Sequence, residues 1–289
     1  MYVVTGVTGN TGSIVATTLL AAKQPVRAVV RDAAKGAAWK ARGAEVVVAD
    51  VGDRAALAAA LTGATGAYLL LPPPAWGQSG LATDRTAKIA AIAGAVSDAR
   101  PGHVVALSSI GAQHAAGTGP IADLHRLEAA LTATGVPATF LRAGYFMENW
   151  GAMLQGAIDG GALYHGSRAG LAFPQVATTD IGKTAARLLV EGKPATGTRV
   201  VDLAGPVDAS TQDVAAVLSK IAGKPIAAVS IPTSAVAQSL VGMGASQEQA
   251  NGLAELVDGL NAGLLTWTTA APVRGSVTIE QRLRELLGK

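Results

Sequence analysis

The sequence predicts an α/β protein, a Rossmann-type doubly wound parallel sheet with a smaller C-terminal α+β lobe. Two observations support this prediction. Short apolar runs without polar/apolar alternation recur through the first half of the chain, which is typical of strands that are buried on both faces. Alanine-rich stretches separate these runs, and strands that alternate with helices form a parallel sheet with right-handed crossovers.

The elements of the first half follow in order along the chain. Strands are predicted at Tyr2–Thr5, Val26–Val30, Glu45–Ala49, Ala67–Leu71, His103–Ser108 and Ala138–Leu141. Helices are predicted between them at Thr11–Ala22, Asp53–Leu61, Leu81–Ala99 and Ile121–Thr134, with a further short helix that begins near Ala33. Together these elements define a predicted dinucleotide-binding domain over residues 1–142.

Beyond residue 142 the alternation becomes irregular, and residues 143–289 are predicted to form the smaller, substrate-binding lobe. Four helices are expected there, each with a recognisable start. They begin at a cap on Thr178 or Thr179, at a capping box formed by Ser210 and Asp213, at Ser246 and at Thr278. No low-complexity linker separates the two halves, so we expect the lobe to pack against the first domain.

Composition excludes several classes of function. Charged residues make up 15% of the chain, the net charge is only +3, and the basic residues are scattered, which argues against a nucleic-acid or membrane face. The absence of cysteine removes disulfides, thiolate metal sites and a cysteine nucleophile. No two of the four histidines stand at metal-binding spacing, so no metal site is predicted. No apolar run of about 18 residues and no N-terminal leader pattern is present, and we expect a cytoplasmic protein.

A glycine-rich turn follows the first predicted strand and opens the first helix. Its glycines, Gly6, Gly9 and Gly12, stand three residues apart. One glycine permits the sharp turn, another lets a pyrophosphate approach bare backbone, and the last lets the helix pack close to the strand. The helix N-terminus presents N–H groups and a positive dipole end to phosphates. A chain with 35 glycines could form such a turn without a ligand, but the flanking strand and helix favour a dinucleotide site. Candidate side-chain donors are Thr8, Asn10 and Thr11.

The residues after the second strand bear on which dinucleotide binds. An NAD site carries an acidic residue about 20 residues past the glycines, which binds the ribose 2′-hydroxyl. Here Arg31 takes the first exposed position, where a guanidinium would bind a 2′-phosphate in forked geometry, and Lys35 stands close by. Asp32 would favour NAD if it turned inward, but it also suits the cap of the next helix. The pattern favours NADP(H) over NAD(H).

Further cofactor contacts are predicted where the other strands end, because ligands of open α/β sheets gather at the carboxyl ends of the strands. Asp50 suits a contact to the adenine amino group, although a turn-forming role suits it almost as well. The prolines after the fourth strand form either a cofactor wall or a rigid exit from the strand. The predicted contacts are Asp50, Val51, Leu71, Pro72, Pro73, Ser108, Ser109, Gly144, Tyr145 and Phe146.

The catalytic pair of ordinary short-chain dehydrogenases is absent. None of the four tyrosines is followed four residues later by a lysine, so no lysine is placed to lower a tyrosine pKa. The candidate proton donors are His125 in the helix after the fifth strand, His114 in the preceding loop, and Tyr145. The structural alternatives are a helix-surface position for His125, a loop position for His114 and the wall of a pocket for Tyr145. Glu128 is predicted to be a solvated helix residue.

Three stretches resemble the NmrA-like family of atypical short-chain dehydrogenases: Thr5–Gly12, Val26–Asp32 and Leu141–Asn149. Within that family the chain is most similar to bacterial NADPH:quinone oxidoreductases of the type-2 kind. Landmarks at Thr178–Gly182 and Asp202–Pro206 extend the resemblance over essentially the whole chain.

The resemblance implies NADP(H) held by the glycine turn and Arg31, with substrate between the Rossmann domain and the lobe. Isoflavone-reductase relatives use a lysine in the helix after the fifth strand. The corresponding stretch here, Leu124–His125–Arg126, has no lysine, so that mechanism is in doubt.

Two functions remain open at this point. The first is an oxidoreductase that passes hydride from NADPH to a quinone-like or other small conjugated acceptor, which needs little help from a general acid. The second is a non-catalytic NADP(H) sensor that acts through a protein partner. The missing catalytic pair favours the sensor, but no added partner-binding segment is evident, and the enzyme is the favoured hypothesis. An alanine-rich helix face would allow a homodimer.

Overall fold

The main sheet has eight strands, and every neighbouring pair within it is parallel. The computed structural model describes all residues, 1–289. Its strands are β1 (Tyr2–Val4), β2 (Val26–Val30), β3 (Glu45–Val48), β4 (Gly66–Leu69), β5 (Val104–Ser109), β6 (Ala138–Ala143), β7 (Tyr145–Phe146), β8 (Ala162–His165), β9 (Gln175–Val176), β10 (Thr198–Ala204), β11 (Ala227–Ser230) and β12 (Val273–Arg274). The order in the main sheet is β12-β10-β6-β5-β4-β1-β2-β3, so the direction of winding reverses between β1 and β4. The predicted fold class is confirmed.

Eleven helices accompany the strands. They are α1 (Asn10–Ala21), α2 (Ala33–Ala41), α3 (Arg54–Leu61), α4 (Leu81–Ala99), α5 (Ile121–Ala133), α6 (Gly151–Gly160), α7 (Thr178–Glu191), α8 (Thr211–Ala222), α9 (Thr233–Gly242), α10 (Gln247–Asn261) and α11 (Ile279–Leu286). A 3-10 turn over Met147–Trp150 leads into α6. The helices predicted in the first half are all present, with bounds that differ by one residue at most. No helix is both long enough and apolar enough to cross a membrane.

The main sheet is covered on both faces. On one face α1 and α7 pack on the sheet, with Leu19 and Ile181 fully buried between them and the strands. On the other face α3, α4 and α5 contribute a second core that includes Leu57, Ile92 and Leu127. Because both faces are buried, the strands read as continuous apolar runs, which is why the sequence pattern found them.

Close packing of α1 and α7 depends on Gly182. A Cβ atom at this position would lie 2.4 Å from Cβ of Ile14 and 2.9 Å from the carbonyl oxygen of Thr11. A glycine therefore lets α7 approach the first turn of α1, the helix that opens at the glycine-rich turn. The landmark Thr178–Gly182 thus contributes to the position of the predicted cofactor site.

The chain beyond residue 142 contributes to two structures. Its strands β10 and β12 join the main sheet next to β6, so the sheet crosses the predicted boundary at residue 142. Helix α7 packs on that sheet, and most of the remaining segments surround a third core with Trp150, Leu218 and Leu283 at its centre. That core also takes in Ile110 and Met147, which follow the carboxyl ends of β5 and β6. The smaller cluster therefore packs against the edge of the sheet where ligands are expected.

The helix starts of the second half were predicted with mixed success. Ser210 and Asp213 form the predicted capping box, and Ser246 forms another. The predicted cap at Thr178 or Thr179 is wrong, because the N-cap of α7 is Ala177 and makes no side-chain cap. The carboxylate of Glu148 replaces it and accepts hydrogen bonds from N (2.9 Å) and Oγ1 (2.7 Å) of Thr178. Because the capping residue lies 30 residues earlier in the chain, the sequence around Thr178 shows no capping pattern.

Candidate active site

The glycine-rich turn has the geometry that its three glycines predict. Gly6 adopts φ +65°, in the left-handed region that favours glycine. A Cβ atom on Gly12 would lie 2.4 Å from the carbonyl oxygen of Gly6 and 2.6 Å from that of Thr5, so any side chain would push α1 away from the turn. Gly9 has open space around it, with one contact at 3.4 Å. The turn is therefore tight against the helix and bare on its outer side.

The N-terminus of α1 is open to an anion. Its N-cap, Gly9, provides no side-chain acceptor, and no acidic residue lies in the first turn. The backbone N–H groups of Asn10, Thr11 and Gly12 donate to no atom of the protein. Unpaired N–H groups at a helix start, together with the helix dipole, form a phosphate-binding site. Of the predicted side-chain donors, Thr8 and Asn10 are exposed there.

Thr11 differs from the other two predicted donors because its side chain is buried. Its Oγ1 accepts a hydrogen bond of 2.9 Å from the hydroxyl of Tyr68 on β4. Burial raises the pKa of Tyr68, so this hydroxyl stays protonated and remains a donor. The pair joins the first turn of α1 to the neighbouring strand. Tyr68 was not predicted from the sequence, because an apolar strand does not indicate which neighbour a tyrosine hydroxyl contacts.

The basic and acidic residues that follow β2 have different roles. Arg31 and Lys35 are exposed, and neither side chain makes a hydrogen bond or an ion pair within the protein. Asp32 caps α2 by accepting a hydrogen bond of 2.9 Å from the backbone N of Ala34. The capping interpretation of Asp32 is therefore confirmed. Two cations without partners remain at the position where a 2′-phosphate is expected.

The turns after β3 and β4 are held by hydrogen bonds. Oδ1 of Asp50 accepts from the backbone N of Gly52 at 2.7 Å, which is the turn-forming role considered for it. The carbonyl oxygen of Pro72 accepts a hydrogen bond from Arg85, whose Nε lies 3.1 Å from Oδ2 of Asp123 on α5. Arg85 is buried and was not predicted from the sequence. It fixes the proline segment against α4 and α5.

The proline segment is also joined to the second half of the chain. Gln249 on α10 donates through Nε2 to the carbonyl oxygen of Ala75 and accepts from the backbone N of Gly77, both at 2.8 Å. Nε1 of Trp76 donates to the carbonyl oxygen of Met243 at 2.8 Å. The segment after β4 thus bridges the sheet and the helices α9 and α10.

The end of β5 faces an ion pair that the sequence did not predict. Arg142 binds Glu128 through two hydrogen bonds, Nε to Oε1 (2.9 Å) and Nη2 to Oε2 (2.6 Å). The hydroxyl of Ser108 donates to the same carboxylate at 2.5 Å. The prediction of a solvated Glu128 is wrong, because α5 packs on the sheet with this residue opposite Arg142. Ser108 is buried with its hydroxyl on the ion pair, whereas Ser109 is partly exposed and bonds only to its neighbour's carbonyl oxygen.

The exit from β6 places an aromatic cluster beside the sheet edge. A Cβ atom on Gly144 would lie 2.7 Å from the carbonyl oxygen of Pro174, so the chain passes close to β9 at this point. The ring of Tyr145 then lies 5.6 Å from Trp150, 5.6 Å from Phe173 and 6.3 Å from His165, measured between ring centroids. Trp150 and Phe173 are buried, while Tyr145 and His165 are partly exposed. Burial raises the pKa of Tyr145, against a smaller opposite effect of Asn149.

His165 was not a candidate in the sequence analysis. Its Nδ1 accepts from the backbone N of Ser167 (3.1 Å) and lies 2.7 Å from the hydroxyl of the same residue. That hydroxyl is 2.9 Å from Oγ1 of Thr211. Burial lowers the pKa of His165 to about 4, so the ring is neutral near pH 7 and carries its proton on Nε2. Nε2 has no partner in the protein and is not sealed from solvent.

The two histidines predicted as proton donors lie elsewhere. Nδ1 of His125 is 2.9 Å from the carbonyl oxygen of Ala112, which makes it a donor to that carbonyl. The ring lines a cavity of about 440 Å³ between α5 and the strands β6 and β10. None of the residues of the glycine turn, the proline segment or the aromatic cluster lines this cavity. His114 is partly exposed and makes no side-chain hydrogen bond. The structure brings neither histidine to Tyr145.

Comparison with known proteins gives a consistent result. The family model described as the NmrA-like family matches residues 2–270. The NAD(P)H azoreductase of Xenophilus azovorans is 31% identical over 259 residues, which cover 89% of this chain and 86% of that protein. Quinone oxidoreductase 2 of Escherichia coli is 30% identical over 268 residues, which cover 91% of this chain and 89% of that protein.

Two solved structures are similar along almost the entire chain. The NADPH-dependent quinone oxidoreductase of Escherichia coli, complexed with NADPH, superimposes with a TM-score of 0.82 at 26% identity and covers 99% of this chain and 100% of that one. The triphenylmethane reductase of Citrobacter, complexed with NADP(H), has a TM-score of 0.84 at 22% identity, again over 99% and 100% of the two chains. The second likeness concerns the fold alone.

Proposed function

The chain belongs to the NmrA-like family, and from that premise we propose that it is an NADPH-dependent reductase of quinones, azo compounds or other small conjugated acceptors. The observation that carries the proposal is the pairing of an open helix N-terminus on a glycine turn with an unpaired Arg31 at the end of the next strand. The relatives that resemble the chain over most of its length are named as an azoreductase and a quinone oxidoreductase.

The residues present fit NADP(H). The bare turn at Gly9 and the free N–H groups of Asn10, Thr11 and Gly12 would hold the pyrophosphate. Arg31, with Lys35 beside it, would bind the 2′-phosphate in forked geometry, and the cap on α2 keeps the carboxylate of Asp32 occupied. The contacts predicted at the ends of the other strands, from Asp50 to Phe146, remain proposals. Ser108 would act only through its backbone, since its hydroxyl is bound to Glu128.

The acceptor would lie against Tyr145, where the aromatic cluster is partly exposed. A planar conjugated acceptor is the natural partner of an exposed aromatic ring, because offset stacking adds to the burial of apolar surface. When bound, NADPH supplies a hydride. The protein's part is to hold the acceptor in line and to exclude water, and an acceptor that is already electrophilic needs little proton transfer. The absence of a Tyr-x-x-x-Lys pair is therefore compatible with turnover.

The test is consumption of NADPH, followed by its absorbance, with a panel of quinones and an azo dye, and with NADH in parallel. We expect turnover that depends on the acceptor and is faster with NADPH. Tight NADPH binding without turnover on any acceptor would contradict the proposal and would support the non-catalytic sensor. A cytoplasmic location and a homodimer formed through an alanine-rich helix face stay predictions of the sequence.

A further inference from the structure

His165 is held in one orientation and one protonation form. Two donors converge on Nδ1, the backbone N–H and the hydroxyl of Ser167, and the hydroxyl is in turn placed by Thr211. Gly166, between them, packs where a Cβ atom would lie 2.7 Å from Val257 and 2.9 Å from Val236, so the loop is pressed under α9 and α10. Because Nδ1 accepts hydrogen bonds here, the single proton of the neutral ring lies on Nε2.

The imidazole ring of His165 belongs to the aromatic cluster, and its Nδ1 is the nitrogen that is bound to Ser167. The ring centroid of His165 is 5.0 Å from that of Trp150 and 6.3 Å from that of Tyr145, to which the ring is nearly perpendicular. The carbonyl oxygens of Gly166 and Ser167 and the hydroxyl of Ser167 all have partners in the protein, but Nε2–H of His165 has none and is reached by solvent. No ion pair involves the ring. The aromatic cluster therefore includes an uncharged donor that is free to bind a ligand.

We propose that His165 is a catalytic residue whose Nε2–H donates a hydrogen bond to the oxygen or nitrogen atom of the acceptor on which negative charge develops. This inference rests on the proposed reductase function. A quinone that receives a hydride becomes the monoanion of a hydroquinone, and an azo group becomes the anion of a hydrazine. Water then supplies the one proton that completes either product, so His165 keeps its own proton and remains neutral throughout.

A neutral imidazole suits this role better than the other groups near the cleft. Burial lowers the pKa of His165 to about 4, so the ring is uncharged near neutral pH and the donor does not change there. A donor that is already fixed in place stabilises a developing anion more strongly than water, which must first reorient. His125 lies in the separate cavity beside α5, and its Nδ1 is already bonded to Ala112.

The experiment compares His165→Phe, His165→Gln and a control, Tyr164→Phe, on a series of substituted 1,4-benzoquinones. Tyr164 is the preceding residue of β8 and is exposed on the opposite side of the strand. We expect His165→Phe to lower kcat by about 100-fold, as removal of one oxyanion donor does, and His165→Gln to recover part of the loss. The loss should grow with electron-donating substituents, because their reduced anions are more basic. A uniform loss across the series, or none, would overturn the proposal.

Binding of para-substituted phenolates in the presence of NADP⁺ provides a readout without turnover. Affinity should rise with phenolate basicity in the wild-type protein and in Tyr164→Phe, and the slope should flatten in His165→Phe. An equal slope in all three proteins would refute the donor role. If the wild-type protein reduces no acceptor, the proposed function fails, whereas the phenolate slopes still decide whether His165 is a donor.

Discussion

The buried ion pair of Glu128 and Arg142 offers a sharp test of how the site is held. Both side chains are about nine-tenths buried, at 10% and 9% exposure, and two of the guanidinium's hydrogen bonds go to the carboxylate. Its third goes to Oγ1 of Thr268 at 3.2 Å. Glu128→Leu would leave a buried cation with this one neutral partner. A buried charge that loses its partner costs about 3 to 5 kcal/mol, and we expect that loss in the free energy of unfolding.

Removing both charges should cost much less. A double variant, Glu128→Leu with Arg142→Met, replaces the pair by apolar side chains of similar length, an exchange that is often close to neutral. Ser108 loses its acceptor in either variant, which costs about 1 kcal/mol. We therefore expect the double variant to be about 2 to 4 kcal/mol more stable than Glu128→Leu alone. Urea unfolding followed by circular dichroism measures both quantities.

An exposed ion pair supplies the matched control. Arg54 and Asp98 form a bidentate pair whose side chains are 59% and 45% exposed, and Asp98→Asn should move the urea midpoint far less than Glu128→Leu does. A wild-type urea midpoint for Glu128→Leu would contradict the expected cost of an unpaired buried charge. A double variant as unstable as the single one would contradict it too, because the loss of stability would then come from packing and not from charge.

Three further outcomes are expected. Arg31→Ala should weaken NADPH binding about 30-fold, the equivalent of about 2 kcal/mol, and leave NADH binding unchanged; equal losses for both would remove the 2′-phosphate role. Gly12→Ala should lower NADPH affinity at least about ten-fold, because its Cβ would overlap the Gly6 carbonyl, whereas Gly160→Ala, with no atom within 4 Å, should bind normally in the same titration. Because the pKa of His165 is about 4 against an ordinary 6.5, the unfolded chain binds an additional proton between these values. Protonation of His165 should therefore lower the free energy of unfolding by about 3 kcal/mol between pH 7 and a pH below 4. Urea unfolding of His165→Phe at the same pH values should not show this decrease.

Features that depend on neighbouring residues in the chain were predictable from the sequence. Strands buried on both faces must be apolar throughout, so β1, β2, β4, β5 and β6 stood out as continuous runs, while the edge strand β3 has exposed ends at Glu45 and Val48. The glycine turn was recognisable because each glycine meets a local requirement, a positive φ at Gly6 and the close approach of backbone at Gly12. The start of α8 was predictable because both residues of its capping box, Ser210 and Asp213, lie within four positions of the chain.

Side chains whose roles depend on distant partners were not predictable in the same way. Glu128 looks like a solvated helix residue until β6 places Arg142 opposite it. Tyr68 looks like one more apolar strand residue until α1 brings Thr11 to its hydroxyl. His165 stands at the end of a four-residue strand whose pairing partner, β11, begins 62 residues after that strand ends. The local sequence does not indicate which of these contacts form.

The stretch from Leu141 to Asn149 carries the family resemblance, and several of its residues hold the fold together. Its Arg142 holds α5, its Gly144 lets the chain pass β9, and its Glu148 caps α7 and lies 3.1 Å from Arg282 of α11. All three serve the scaffold, and altering any of them would disturb several elements together. Tyr145, between them, has a partly exposed ring, as does His165 on a separate strand. On the proposed placement of the acceptor, these two positions can change without altering the fold, so we expect differences in acceptor between this protein and its relatives to arise there and not in the motif that identifies the family.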